Sequence, residues 1–356
     1  MYLSRFMIVA MLMAMITPAW AQEEESSSLS ISGSVDTYYK YDFSGQANIG
    51  TSFAGDHNSI SIGMLDLVFE KSSGKASFVG EIAMGPRNAE SAGPAFLSGL
   101  IPVEGSEPVG IAAFQPRIQN LYVSYAFTDK LTITGGYMGT FVGYEIISPT
   151  GNFNYSTSYL FTNGPFQNAG VKLEYAFSDK FGVMVGVFNP WNVYTADPEV
   201  GPTSIGAQIY VAPVEGWDAY VNFTTGDDGM ELDLTTTFQV TDELMLGLNA
   251  ASYSDMADTA ATFAGAAAYV NYAITESAAL GLRYEYFAAN SVIGILSEEK
   301  DATVSAITLS GNFGGGDLTF IPEFRVDLSS VDMFMDADGM ATGTASQFLL
   351  AAVYAF

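Results

Sequence analysis

Apolar and polar residues alternate along most of the chain after residue 28, with a period of two rather than 3.6. In the first such segment Leu29, Ile31 and Val35 alternate with serine, aspartate and lysine residues. A period of two places all apolar side chains on one face of a β-strand. The pattern predicts sixteen strands, at residues 29–43, 59–70, 75–85, 117–127, 131–140, 167–177, 181–189, 203–212, 217–225, 231–240, 244–253, 262–274, 279–288, 302–313, 317–327 and 346–356.

The connections between these segments are alternately short and long. The short ones share small turn residues, as in Thr128-Asp129-Lys130, Ser178-Asp179-Lys180 and Thr241-Asp242-Glu243. This asymmetry is typical of outer-membrane barrels, although the alternation alone also suits a soluble β-sandwich. The long connections are predicted at 44–58, 86–116, 141–166, 190–202, 226–230, 254–261, 289–301 and 328–345.

An even strand number with both termini at the short-turn end is what a closed antiparallel barrel requires. The stretch 152–161 has strand-like composition, but a seventeenth strand would break this parity, so we assign it to the loop 141–166. Closure removes the sheet edges that lipid does not tolerate. The predicted fold is therefore all-β: a transmembrane antiparallel β-barrel of about sixteen strands, with short periplasmic turns and long extracellular loops.

Aromatic residues recur at the ends of the predicted strands. The tripeptide Tyr-Ala-Phe occurs twice just before a short turn and once at the chain end. Outward aromatic residues at one level form the interfacial girdle of a membrane barrel, whereas in a sandwich they would form one core layer. The predicted girdle residues are Tyr125, Phe127, Tyr175, Phe177, Tyr354 and Phe356.

The N-terminus has the pattern of a secretory signal peptide at residues 1–21. Arg5 precedes an apolar run from Met7 to Ile16, and Ala19-Trp20-Ala21 forms a small-x-small cleavage site. The run is too short for a membrane anchor, since a spanning helix needs about 20 apolar residues. We expect cleavage before Gln22, then a short acidic tail at 22–28, with residues 29–356 forming the barrel.

The amino-acid composition excludes several classes of function. Charged residues make up only 14% of the chain and the net charge is −27, which excludes a protein that binds nucleic-acid phosphates. Cysteine is absent, and His57 is the single histidine, without a supporting catalytic motif. Asp336 and Asp338 resemble half of a calcium loop but lack its full spacing. We therefore expect no enzyme activity, no cofactor and no metal site, with a calcium site at these loop acids as the weaker alternative.

If the apolar parity faces lipid, the other parity faces inward and carries nearly every charge within the strands. Three opposite-charge pairs lie two residues apart: Lys172/Glu174, Arg283/Glu285 and Glu323/Arg325. The members of each pair either neutralise one another or create the electric field of a selective pore. The inward face carries more acidic than basic residues, and this surplus favours the passage of cations. The predicted pore-lining residues are Asp36, Lys40, Asp66, Glu70, Glu81, Lys172, Glu174, Asp218, Asp233, Arg283, Glu285, Glu323 and Arg325.

The predicted loop 141–166 is long, and Glu145 is its only acidic or basic residue. It is rich in Tyr, Phe, Asn and Thr, so it is suited either to fold into the barrel and narrow it or to lie on the rim. Tyr144 and Glu145 are the candidate constriction residues. Sixteen strands enclose a lumen wide enough for water.

Two stretches resemble a known family. The residues Gly136-Tyr137-Met138-Gly139-Thr140-Phe141-Val142-Gly143-Tyr144-Glu145 and Phe188-Asn189-Pro190-Trp191-Asn192, with Asn152 to Phe161 between them, are similar to the OmpL-like β-barrel porins. The terminal strand ending in Phe356 resembles the assembly signal of Gram-negative outer-membrane proteins. The Pro-Glu-Phe-Gly-Gly loop motif of trimeric porins does not occur in 141–166, so their constriction geometry is not carried over.

The leading hypothesis is an outer-membrane porin, a passive water-filled channel for small hydrophilic solutes or ions with a modest cation preference. The alternative is a non-conducting barrel that displays its long extracellular loops, such as the apolar stretch 94–103, to a partner. The expected partners are outer-membrane lipid and the barrel-assembly machinery, through the C-terminal strand, and the sequence leaves a homo-oligomer open.

Overall fold

The computed structural model describes residues 28–87, 116–255, 261–290 and 302–356. The predicted signal peptide, residues 22–27 of the predicted tail and the stretch 94–103 lie outside the described residues. Within the described ranges the longest helix is too short and too polar to cross a membrane.

Sixteen strands of the described chain form one closed antiparallel barrel, as the alternation predicts. Each strand pairs with its neighbours in sequence, and β1 closes the sheet by pairing with the last strand, β18. The barrel strands are β1 (Ser30–Asp42), β2 (Ser59–Ser73), β3 (Ala76–Met84), β4 (Arg117–Thr128), β5 (Leu131–Gly139), β6 (Gln167–Ser178), β7 (Phe181–Phe188), β8 (Ser204–Val211), β9 (Trp217–Gly226), β10 (Gly229–Gln239), β11 (Leu244–Ser254), β12 (Thr262–Thr275), β13 (Ala278–Ala289), β14 (Ala302–Gly315), β15 (Leu318–Ser329) and β18 (Thr344–Ala355).

Two predicted long connections differ from the structure. Residues 226–230 are not a loop: Gly226 pairs with Gly229, so Asp227-Asp228 is a two-residue turn. Gly229 has φ +104°, which glycine adopts without steric cost. The connection 328–345 contains a small hairpin of β16 (Phe334–Met335) and β17 (Ala341–Thr342).

The two faces of the barrel wall differ as the sequence period requires. Large apolar side chains stand exposed on the outer face, as at Ile60 and Val123, because lipid and not protein is their expected environment. Buried polar and charged side chains cover the inner face. The chemistry of the molecule is therefore concentrated inside the barrel and at its long-loop end.

The barrel closes at its C-terminus through reciprocal backbone hydrogen bonds. The amide of Gly33 donates to the Phe356 carbonyl at 3.0 Å, and the Phe356 amide donates to the Gly33 carbonyl at 3.0 Å. The Phe356 ring lies over Gly33, where any side chain would collide with it. The last residue is therefore part of the closing seam.

Candidate functional site

The connection between β5 and β6, residues 140–166, runs across the interior of the barrel. It contains a 3₁₀ turn at Pro149–Gly151 and a short helix, α1 (Tyr159–Asn163), and no strand at 152–161. Several of its polar contacts are with inward-facing residues of β13, β14 and β15. In the circular strand order β13 lies seven places from β6, and β14 lies seven places from β5 in the other direction. The loop thus reaches the opposite wall.

Two arginines of that wall hold the loop through its carbonyl groups. Arg283 on β13 donates to the Ser156 carbonyl at 2.7 Å and forms a 2.5 Å ion pair with Glu145. Arg325 on β15 donates to the Thr157 carbonyl at 2.8 Å. Both guanidinium groups are fully buried. An arginine is suited to this position because its fork of donors satisfies several acceptors at once.

Two glutamates of the same wall hold the loop through its amide groups. Glu285 accepts from the amides of Tyr159 and Leu160 at 2.9 and 2.8 Å, at the start of α1. Glu323 accepts from the Tyr155 amide at 2.9 Å. Carboxylates at the first amides of a helix satisfy donors that have no partner within the helix. Carboxylates of the barrel wall therefore accept the hydrogen bonds that these loop amides would otherwise donate to water.

Tyrosine hydroxyls of the loop complete the network. Tyr159 donates to Asp327 at 2.7 Å, and Asp327 in turn forms a buried ion pair with Arg325 at 2.7 Å. Tyr155 donates to Asp36 on β1 through a short hydrogen bond. The loop is therefore tied to two parts of the wall by groups that are both buried and hydrogen-bonded.

The candidate constriction residues are packed rather than free. The Tyr144 ring stacks on Tyr269 of β12 with centroids 4.2 Å apart, and Glu145 is paired with Arg283. On another part of the wall, Asp233 accepts from the Gly143 amide at 3.1 Å. The first turn of the loop is thus held by strands β10, β12 and β13.

Of the three opposite-charge pairs predicted from sequence, one is formed. Lys172 and Glu174 lie 3.0 Å apart and are partly exposed. The other two predictions are wrong: Arg283 pairs with Glu145 instead of Glu285, and Arg325 pairs with Asp327 instead of Glu323. Residues two apart on a strand share a face, but the inserted loop offers the arginines and glutamates better partners.

The remaining predicted pore-lining residues fall into a buried group and a partly exposed group. Lys40 is buried and donates to the Gly55 carbonyl at 3.0 Å, and Asp36, Asp66 and Asp233 are buried as well. The partly exposed inward groups lie between the middle of the barrel and its short-turn end: Glu70, Glu81, Lys172, Glu174 and Asp218.

Residues that the sequence analysis missed also contribute. Arg87, from the connection after β3, donates to the carbonyls of Ile147 and Tyr155 at 2.8 and 3.0 Å. Asn192, at the end of the motif Phe188 to Asn192, accepts from the amides of Phe166 and Gln167 and has φ +61°. The only sequence signal for Arg87 is a rare basic residue in a long connection.

Two residues weighed for catalysis or calcium binding have structural partners. His57 Nδ1 accepts from the Asp42 amide at 3.0 Å. Asp336 accepts from the amides of Asp338 and Met340 at 2.9 and 2.8 Å, so its carboxylate closes a turn.

The six predicted girdle residues stand exposed on the outer face near the short-turn end of the barrel. The rings of Tyr125 and Phe127 lie 5.2 Å apart, and those of Tyr175 and Phe177 lie 4.7 Å apart. The pairs therefore form small aromatic surfaces at the strand ends.

Solved structures share this architecture at low sequence identity. An anion-selective porin from Comamonas acidovorans aligns over 93% of this chain and 100% of its own, with 13% identity and a TM-score of 0.61. The outer-membrane channel DcaP of Acinetobacter baumannii aligns over 95% and 100%, with 14% identity and a TM-score of 0.60. The trimer form of OmpT of Vibrio cholerae aligns over 93% and 100%, with 10% identity and a TM-score of 0.56. Each likeness shows the fold.

A search of curated proteins finds no match to the chain. The family described as "Putative beta-barrel porin-2, OmpL-like" matches residues 28–356, which is nearly the whole chain. The chain therefore belongs to the OmpL-like β-barrel porin family and is an outer-membrane channel protein of Gram-negative bacteria.

Proposed function

We propose that the protein is a passive diffusion channel for small hydrophilic solutes, narrowed by the loop 140–166, with a modest preference for cations. The observation that supports the proposal is that the inward basic groups are buried or paired, whereas most of the partly exposed inward charges are acids. The buried arginines, Arg283 and Arg325, are each paired with an acid. The partly exposed charges are mostly acids, and Lys172, the one base among the predicted lining residues that is not buried, is paired with Glu174.

Fixed negative charge along a water-filled passage raises the local concentration of cations. The acids that act in this way are Glu70 and Asp218, which are partly exposed toward the short-turn end of the barrel, and Glu81, which is partly exposed at mid-height and accepts a hydrogen bond from Asn120. Screening limits their reach to about 10 Å at 0.1 M salt and about 3 Å at 1 M salt. The preference is therefore a low-salt property.

We expect the wild-type channel to be modestly cation-selective at low ionic strength and to lose this preference toward 1 M salt. The variant Glu70→Gln/Glu81→Gln should shift the reversal potential across a salt gradient toward zero, because it removes two of these acids. The matched control is Glu276→Gln, an exposed acid in the short turn after β12, which should leave the reversal potential unchanged. An anion-selective wild-type channel would contradict the proposal.

The remaining parts of the proposal concern targeting and assembly. Three further features fit an outer-membrane barrel. They are export through a signal peptide at 1–21, a girdle of the six exposed aromatic residues and recognition of β18 by the assembly machinery. A homo-oligomer is consistent with the trimer form of OmpT of Vibrio cholerae.

A further inference from the structure

A cavity of about 390 Å³ opens at the long-loop end of the barrel, beside the end of α1, whose last residue Asn163 lines it. Aromatic rings and carboxylates line it, and they come from three connections between strands and from β11 and β12. We call it the Trp191 vestibule and define it by Trp191, Asp227, Asp228, Tyr253, Asp255 and Phe263.

The aromatic side of the vestibule is a continuous surface. The rings of Trp191 and Tyr253 lie 5.6 Å apart, and those of Tyr253 and Phe263 lie 5.1 Å apart at an angle of 14°. Phe263 continues the row onto Phe287, which is fully buried. Aromatic faces carry partial negative charge and attract cations.

Asp228 holds this surface in place. Its carboxylate accepts from the backbone amide of Trp191 at 2.5 Å, and its carbonyl accepts from the Tyr253 hydroxyl at 2.5 Å. Burial raises the pKa of the Asp228 carboxyl above its ordinary value, and the hydrogen bond from Trp191 opposes that rise. The backbone of Trp191 and the hydroxyl of Tyr253 are therefore held in place before any ligand arrives.

The charged residues of the described chain that line the vestibule are all acidic. They are Asp227, Asp228 and Asp255, and no described lysine, arginine or histidine lines it. The described residues contain no group of three or more metal-type side chains that could enclose a metal ion. Spread carboxylates beside an aromatic surface suit an organic cation better than a bare metal ion.

A buried acid lies next to the vestibule floor. Glu231 on β10 is 2% exposed, and its Oε2 atom makes no hydrogen bond within the described residues. It is the direct cross-strand partner of Tyr253. A methyl group on Gly164, which follows the lining residue Asn163, would sit 3.7 Å from Glu231 Oε1. A buried carboxylate with an unpartnered oxygen is costly, so a cationic donor would stabilise it.

We propose that the Trp191 vestibule binds small organic cations that carry a flat apolar body and a primary ammonium group. The body stacks on Trp191 and Tyr253, and the ammonium group faces Asp227 and Asp255, with Glu231 beneath. This role of the site rests on the proposed function, since the site would concentrate such cations at the extracellular mouth of the channel. Binding itself requires no conduction.

The test uses the mature, detergent-folded protein with Trp217→Phe, so that Trp191 is its fluorescent reporter. Benzylammonium should change the Trp191 emission saturably, whereas benzyl alcohol and benzoate, its neutral and anionic counterparts, should not. The variant Asp227→Asn/Asp255→Asn should weaken benzylammonium binding about two- to fivefold, the range expected for exposed ion pairs. Glu231→Gln should weaken it at least as much.

The matched control is Glu199→Gln, an exposed acid of the same connection as Trp191 but outside the vestibule, and it should bind like its parent. Equal binding of benzylammonium and benzyl alcohol would overturn the proposal, as would competition by Ca²⁺ alone at similar concentration. An unchanged affinity in both acid variants, with circular dichroism showing folded barrels, would overturn it too. Because no membrane current is measured, a barrel that does not conduct still reports on binding.

Discussion

Replacing Arg283 with methionine is expected to lower the free energy of unfolding by about 3–5 kcal/mol, because Glu145 is then left buried without its cation. The same change removes the donor to the Ser156 carbonyl and frees the middle of the loop. The conductance of single channels should therefore become larger and noisier. Urea unfolding in lipid vesicles measures the stability, and planar-bilayer recording measures the conductance.

A second variant separates the effect of breaking the ion pair from the effect of losing the arginine side chain. Adding Glu145→Gln to Arg283→Met should recover part of the stability, since no unpaired charge remains buried. Lys172→Met is the matched control, because its ion pair with Glu174 is partly exposed and contributes at most about 1 kcal/mol. If Arg283→Met costs no more than Lys172→Met, the loop is not held in the way described.

Deleting Phe356 is expected to lower the amount of barrel in the outer membrane several-fold. The deletion removes two backbone hydrogen bonds to Gly33 and the ring that covers it, at the seam where the sheet closes. An open seam exposes strand edges that lipid does not satisfy. Immunoblotting of outer-membrane fractions, with heat-modifiability on gels as the measure of folding, gives the result.

The control for this deletion is Phe356→Tyr, which keeps the backbone hydrogen bonds and an aromatic ring. It should reach near-normal levels. Normal outer-membrane levels of the deletion variant would show that the last residue is needed neither for recognition nor for closure.

The sixteen strands could be predicted because one physical constraint acts on every segment. Each strand faces lipid on one side and the barrel interior on the other, so its apolar residues recur every two positions. Strand β6, predicted at 167–177, spans Gln167–Ser178 in the structure. From the sequence, Asp227-Asp228 is predicted to lie in a longer connection, 226–230, although the flanking Gly226 and Gly229 are typical of a tight turn.

The partners of the inward charges could not be predicted in the same way. Alternation shows which face a side chain occupies but not what lies opposite it. Glu145 and Arg283 are 138 positions apart in sequence, and only the path of the loop brings them together. Glu231 shares the inward parity of Asp233, so its orientation could be predicted from the sequence. Nothing in the pattern indicated that it is buried with one carboxylate oxygen that makes no hydrogen bond within the described residues.

The central claim, that this barrel conducts small solutes past an inserted loop, is tested most directly by single-channel recording of the purified protein in planar bilayers. The structure predicts stable, stepwise openings in 1 M KCl that disappear when the protein is heat-denatured before it is added. A correctly folded barrel that inserts into the bilayer and gives no conductance steps would contradict the claim and favour a barrel that only displays its loops.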